Sequence, residues 1–233
     1  MWSFDHRQYK RTYLYYQSQN TSLDVWSVSR HNNDPSHGFI VLKSQTPTIW
    51  FDKAIEELPT ILLDHAWCER KAAQSALGLL NQTDDPRIQL RLSRIVREEM
   101  RHFELLMPWL KAYHVTWQFL EPPRYGKTLL LARRSKSIDR ICDTCVIASL
   151  IEARSCERFK GLAERIADEN LARFYHKLMI AEQRHADVYM DIALQWGIDE
   201  KELAGSLERI SLIESEIIHQ PEAVLRFHSG LPT

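Results

Sequence analysis

The sequence predicts an all-α protein built on a four-helix bundle. Three observations carry that expectation. Only seven glycines occur among 233 residues. Apolar residues in the middle and C-terminal parts recur at three- and four-residue spacing, so strands are not needed to explain the pattern. A helix hairpin carrying Glu and His at fixed positions occurs twice.

The first helix is expected at about 52–80 and the second at about 86–113. Asn81-Gln82-Thr83-Asp84-Asp85-Pro86 between them supplies polar turn residues and a proline suited to a helix start, giving a short-looped antiparallel hairpin. The third and fourth helices, at about 137–167 and 170–196, connect more tightly around Asp168 to Asn170, and a shorter helix follows at about 200–218. Residues 114–136 contain Pro122-Pro123 and Gly126. That stretch is too long for a tight turn and suits a crossover along the bundle, the connection pattern of the ferritin-like fold. Residues 1–48 begin aromatic (Trp2, Phe4, Tyr9, Tyr13, Tyr15, Tyr16, Trp26) and lack a clear period. They read as an N-terminal extension of unassigned role before a domain at 49–233.

A hydrophobic fraction of 44% and a formal charge of −1 are those of a globular protein and exclude nucleic-acid binding by bulk positive charge, leaving only a local basic patch. No apolar run approaches the roughly 20 residues that span a bilayer, and MWSFDHRQYK lacks the apolar core of a secretory signal, so a cytoplasmic protein without a membrane partner is expected. Cys68, Cys142, Cys145 and Cys156 read as reduced thiols. Cys142-x-x-Cys145 has no second pair and, on a helix, reads as packing, so electrons for any redox chemistry must come from a separate donor.

The chemistry concentrates in six residues. Glu99-Met-Arg-His102 and Glu182-Gln-Arg-His185 each place Glu and His three apart on one helical face. Glu69 lies in a stripe of Leu62, Ala66, Ala73, Ala76 and Leu80, and Glu152 in one of Cys145, Ala148 and Phe159. A lone carboxylate among such residues is costly to bury. Thirty positions separate Glu69 from Glu99 and Glu152 from Glu182, and each residue of the second set lies 83 positions after its counterpart. Two hairpins stacked about a pseudo-two-fold axis then bring a Glu from each of two helices together with a Glu-x-x-His from each of the others, the ferritin-like di-metal arrangement.

A single Glu-x-x-His pair arises by chance on exposed faces. Here Leu92, Ile95, Phe103 and Leu106 accompany Glu99, and Phe174, Leu178, Tyr189 and Ile192 accompany Glu182, which turns both pairs into the core. Four carboxylates and two imidazoles suit iron or manganese better than zinc or copper, and their charge nearly balances two divalent ions. Such a centre can give dioxygen two electrons, so oxygenase chemistry follows, and so does iron storage.

Leu63-Asp64-His65, Cys68-Glu69, Lys71-Ala72-Ala73, Ile151-Glu152-Ala153-Arg154-Ser155-Cys156-Glu157-Arg158-Phe159 and Arg226-Phe227-His228-Ser229-Gly230 resemble the tRNA 2-methylthio-isopentenyladenosine hydroxylases, the MiaE family, over about 52–233. The resemblance implies a non-haem di-iron monooxygenase. It would hydroxylate the isopentenyl tail of the modified adenosine beside the tRNA anticodon, with two iron ions, dioxygen as co-substrate and two electrons from a reductase or ferredoxin. Glu69, Glu99, His102, Glu152, Glu182 and His185 match the family ligands, with no catalytic residue beyond them, and the partner implied is the tRNA anticodon stem-loop. The alternatives are a di-iron oxygenase of a small apolar molecule such as a fatty aldehyde, and a ferritin-like ferroxidase.

An RNA partner needs cationic contacts, and a bulky modified base must leave its stack to be reached. Between 122 and 140, Arg124, Lys127, Arg133, Arg134, Lys136 and Arg140 stand against the single acid Asp139, with Tyr125 as a ring to stack on a base. These are the RNA-contact candidates, against the plainer alternative of a solvated loop. Arg87, Arg94, Arg97 and Arg101 lie away from Glu99 and are expected to bridge to neighbouring acids. Arg226 and His228 belong to a C-terminal segment that either folds over the site or docks on the bundle.

Overall fold

A computed structural model describes residues 42–233. Most of the expected extension therefore lies outside the described residues. The described chain forms α1 (Thr48–Glu56), α2 (Leu58–Leu80), α3 (Pro86–Ala112), α4 (Arg124–Leu131), α5 (Ser137–Ala163), α6 (Glu169–Gln195) and α7 (Glu200–Ile217). Two-residue strands β1 (Pro221–Glu222) and β2 (Leu231–Pro232) pair in parallel near the C-terminus.

The helix starts follow from local chemistry. Asp85, Asp168 and Asp199 each sit just before a helix and accept hydrogen bonds from free backbone N–H groups of its first turn, at Arg87, at Asn170 and Leu171, and at Glu202. Helix ends follow too: α6 closes at Gly197, whose φ of 90° a side chain would strain. α3 ends with His114 at φ 56°, the N–H of Val115 bonding Leu110 O at 2.8 Å and that of His114 bonding Lys111 O at 3.2 Å. This closure turns the chain into the crossover.

Two expectations are corrected. The single helix expected over about 52–80 is two, because Pro59 has no N–H to give the carbonyl four residues back and its ring crowds that carbonyl. The chain breaks at Glu57 (φ −116°, ψ 37°), and α1 begins earlier, at Thr48. The crossover also contains α4, a short amphipathic helix that buries Tyr125 and Leu129, four residues apart.

The bundle is two antiparallel hairpins, α2–α3 and α5–α6, with α3 and α6 also in contact, α7 laid against α5, and α1 across α5. Its apolar interior runs along the whole length, through Leu62, Ala66, Leu106 and Phe159 in one half and Ala76, Leu92, Ile95, Cys145 and Ile192 in the other. The four cysteines are free, and Cys142 and Cys145 are fully buried packing residues. No described helix is long and apolar enough to cross a membrane.

Two fully buried arginines of α5, four positions apart, bind the outer segments to the bundle. Arg154 forms a two-pronged ion pair with buried Glu214 of α7 (Nε–Oε1 2.8 Å, Nη2–Oε2 2.9 Å) and donates to Ser44 O at 2.9 Å. Arg158 donates to the carbonyls of Phe227 and Ser229 and lies 4.1 Å over the Trp50 ring. Thr46 donates through N and Oγ1 to Glu157, so residues 42–47 are fastened to α5 as well. The C-terminal segment threads inward: Phe227 N donates to Asp64 at 2.8 Å, His228 Nε2 lies 3.1 Å from Ser155 Oγ, and Gly230 passes so close to Gln220 O that a Cβ would sit 2.2 Å from it. Of the two arrangements expected for Arg226 and His228, docking on the bundle is the one present.

Candidate metal centre

Glu69 on α2, Glu99 and His102 on α3, Glu152 on α5, and Glu182 and His185 on α6 are all buried at mid-bundle. They form two overlapping groups, Glu69/Glu99/His102/Glu182 and Glu99/Glu152/Glu182/His185, each offering four ligand atoms within 4.8 Å of one another. Glu99 and Glu182, the carboxylates of the two Glu-x-x-His pairs, belong to both groups.

Both imidazoles present Nδ1 to the cluster. His102 Nδ1 lies 3.1 Å from Glu182 Oε1, 3.4 Å from Glu69 Oε2 and 3.7 Å from Glu99 Oε2. His185 Nδ1 lies 2.7 Å from Glu99 Oε1 and 3.0 Å from Glu182 Oε2. The rings stack with centroids 6.0 Å apart. Despite this closeness, Glu99 Oε1, Glu182 Oε1 and His102 Nδ1 lack partners with hydrogen-bond geometry. Buried polar atoms left in that state are costly unless something else satisfies them, and cations between them would.

The electrostatics point the same way. Burial raises the carboxyls of Glu69 and Glu152 and, with the charges of Glu182 and Glu69, pushes Glu99 up to about 8. Burial works against the ionised form of Glu182 too, but the adjoining imidazoles of His102 and His185 outweigh it and hold that carboxyl well below its usual range. It likewise opposes charge on the two histidines, yet the surrounding carboxylates raise both. Positive charge is required here, and protons supply it when metal does not.

Two neighbours escaped the sequence reasoning. Glu98 Oε2 lies 2.7 Å from His185 Nε2, on the ring edge facing away from the cluster. His65 Nε2 lies 2.6 Å from Glu69 Oε1. Burial lowers the His65 pKa to about 3, so its ring is neutral, and it is sandwiched between Phe227 (5.0 Å) and Tyr175 (5.5 Å). Both left a signal: Glu98 directly precedes Glu99, and His65 stands four positions before Glu69, on the same face.

The RNA-contact candidates separate. Tyr125 is corrected: it is buried, its OH donates to Glu214 at 3.0 Å and its ring stacks on His228 at 5.1 Å, so no base can reach it. Arg134 is turned inward onto Asp143 and Glu202, and Arg124 pairs with Glu222 and Pro221 O. Lys127, Lys136 and Arg140 are exposed. Arg133 and Arg140 line an open groove of about 480 Å³ with Gln82, Ser135, Ser137 and Thr144. In the other basic group, Arg87 pairs with Asp85 and Arg101 with Glu104, while Arg94 and Arg97 are exposed.

Comparison with known proteins agrees with this architecture. A family described as tRNA-(MS[2]IO[6]A)-hydroxylase (MiaE) matches residues 35–229. A Pseudomonas putida protein named tRNA 2-(methylsulfanyl)-N(6)-isopentenyladenosine(37) hydroxylase is 38% identical over 188 residues, covering 80% of this chain and 91% of that protein. A Salmonella typhimurium protein of the same name is 29% identical, covering 82% of this chain and 88% of its own. A solved Synechococcus structure, described as a protein with aldehyde deformylating oxygenase activity, superimposes with a TM-score of 0.79 at 32% identity, covering 82% of this chain and 97% of that one.

Proposed function

The chain belongs to the MiaE family of ferritin-like hydroxylases, and from that premise we propose that it hydroxylates the isopentenyl group of 2-methylthio-isopentenyladenosine in tRNA, beside the anticodon. The observation that carries this reading is the convergence of six buried side chains from four helices into two groups that share Glu99 and Glu182. We assign these as the ligands of two iron ions, with Glu69 and His102 completing one set and Glu152 and His185 the other. Two irons held there would supply two electrons to dioxygen, the chemistry by which one oxygen atom enters a C–H bond while the other takes up two protons and leaves as water.

The protein's own part is placement and exclusion of water. His102 and His185 offer Nδ1 inward, and Glu98 accepts a hydrogen bond from His185 Nε2, which fixes that ring's tautomer and angle. Neutral His65 donates Nε2–H to Glu69 and steadies the rotamer of that carboxylate. Leu62, Ile95, Leu106, Phe159 and Tyr189 pack the bundle interior around this level and keep bulk water from the cluster. Arg133 and Arg140, with Lys127 and Lys136, serve as contacts for the RNA backbone. Electrons come from a separate reductase or ferredoxin, and the protein works in the cytoplasm, where the tRNA is.

The test is to incubate iron-loaded protein with dioxygen, a reductase system and tRNA bearing 2-methylthio-isopentenyladenosine, then digest the tRNA. A nucleoside heavier by one oxygen atom supports the reading. Unmodified nucleoside, from protein that holds two irons and consumes dioxygen, contradicts it. The second reading, oxygenation of a small apolar molecule, is favoured by the Synechococcus likeness. It predicts turnover of a long-chain aldehyde under the same conditions without RNA.

A further inference from the structure

An aromatic cluster covers the outer flank of the α2–α3 hairpin. The rings of Trp67 and Trp117 stack with centroids 4.8 Å apart and planes inclined by 28°. Phe119 stands edge-on to Trp67 at 6.2 Å, and Phe103 edge-on to Trp117 at 5.7 Å. Trp67 Nε1 donates to Gln118 O at 3.0 Å, which pins the irregular segment carrying Trp117 and Phe119 against α2. Arg70, one turn after Trp67, lays its guanidinium 4.7 Å over the Trp67 ring and 5.6 Å from that of Trp117.

A cluster serving only to hold the crossover down would turn its rings inward. Instead Phe119 is 76% exposed and Trp117 40%, and Arg70 and Lys71 are exposed beside them. A contiguous aromatic patch in water marks a binding surface. Its cations choose among partners. Flat rings with a guanidinium stacked on them, and an exposed lysine one residue further along the helix, match a nucleobase with its attached phosphate, since every base has a π-face and every linkage a negative charge.

Its position relates it to the chemistry. Trp67 and Arg70 lie two residues before and one after Glu69, within about 3 Å of it along the helix axis, and Phe103 follows His102. A base hydroxylated at the metal centre must leave its stack, and the base next to it in the loop then loses a neighbour. Resting on the tRNA reading above, we propose that Trp67, Trp117, Phe119 and Arg70 form a stacking platform for an unpaired base of the RNA loop adjacent to the base that is modified.

The experiment measures binding of a fluorescently labelled anticodon stem-loop, carrying 2-methylthio-isopentenyladenosine, to the iron-loaded full-length protein and to Phe119→Ala, Phe119→Trp and Arg70→Ala. Phe119→Ala should weaken binding roughly five- to hundredfold, with iron content and melting temperature unchanged and affinity restored in Phe119→Trp. RNA should also quench tryptophan fluorescence in the unaltered protein. If the unaltered protein binds and hydroxylates the RNA while Phe119→Ala and Arg70→Ala bind it equally well, the platform is overturned and the function stands. If Phe119→Ala instead turns a dimer into a monomer with RNA affinity unchanged, the face belongs to a second copy of the chain and the platform is equally overturned. Failure of the unaltered protein to bind or hydroxylate the RNA overturns the tRNA reading itself.

Discussion

His185 is held at both edges of its ring: Nδ1 faces Glu99 and Glu182 at 2.7 and 3.0 Å, while Nε2 lies 2.7 Å from Glu98. The 83-residue repeat places Ala181 where a counterpart of Glu98 would support His102. The two halves of the cluster are therefore unequal, and His185 is the better anchored and more basic imidazole. The hydrogen bond from His185 in turn lowers the Glu98 carboxyl.

Glu98→Ala should consequently weaken one of two metal-binding steps by about 10- to 100-fold and leave the other nearly unchanged. Titration of the metal-free protein with ferrous ion under anaerobic conditions resolves the two steps. Equal weakening of both would mean that Glu98 does not act through His185.

Replacing Glu214 by Ala removes the carboxylate that pairs with Arg154 in two-pronged geometry and accepts from the Tyr125 hydroxyl. A buried guanidinium left without its partner costs roughly 3–5 kcal/mol. Urea denaturation should register that loss. A change under 1 kcal/mol would show that Glu157 and Ser44 O are sufficient partners for Arg154.

Asp143 gives the fold an acid-sensitive point. Burial opposes its ionised form, but hydrogen bonds from Arg134 and Ser206, with Arg209 alongside, lower its pKa to about 2. A folded pKa below the unfolded one stabilises the fold above the unfolded pKa and is lost as pH falls through the folded value. About 2 kcal/mol should thus disappear between about pH 4 and pH 2. Asp143→Asn should be less stable at neutral pH and should lack this part of the acid dependence, read from melting temperatures across that window.

The six clustered residues were legible because helical period and an 83-residue repeat both depend only on sequence position, and two independent registers agreed. The break at Glu57 was equally available in Pro59, whose missing N–H is a local fact. Tyr125 misled because basic neighbours suggest a surface, whereas its burial follows from pairing with Leu129 on one face of a two-turn helix and from Glu214, 89 residues away. Arg154 and Arg158 stood out in the sequence only as part of the string that resembles the family. Their burial depends on an acid of α7 and on carbonyls of the threaded tail, and no local pattern announces either.

The central claim, two irons held by these six residues with Glu99 and Glu182 serving both, is tested most directly by iron stoichiometry and Mössbauer spectroscopy of the reconstituted protein. Two irons per chain, magnetically coupled, are predicted, with Glu182→Ala losing the coupling and at least one iron. A single uncoupled iron in the unaltered protein, or full loading of Glu182→Ala with the coupling intact, would contradict it.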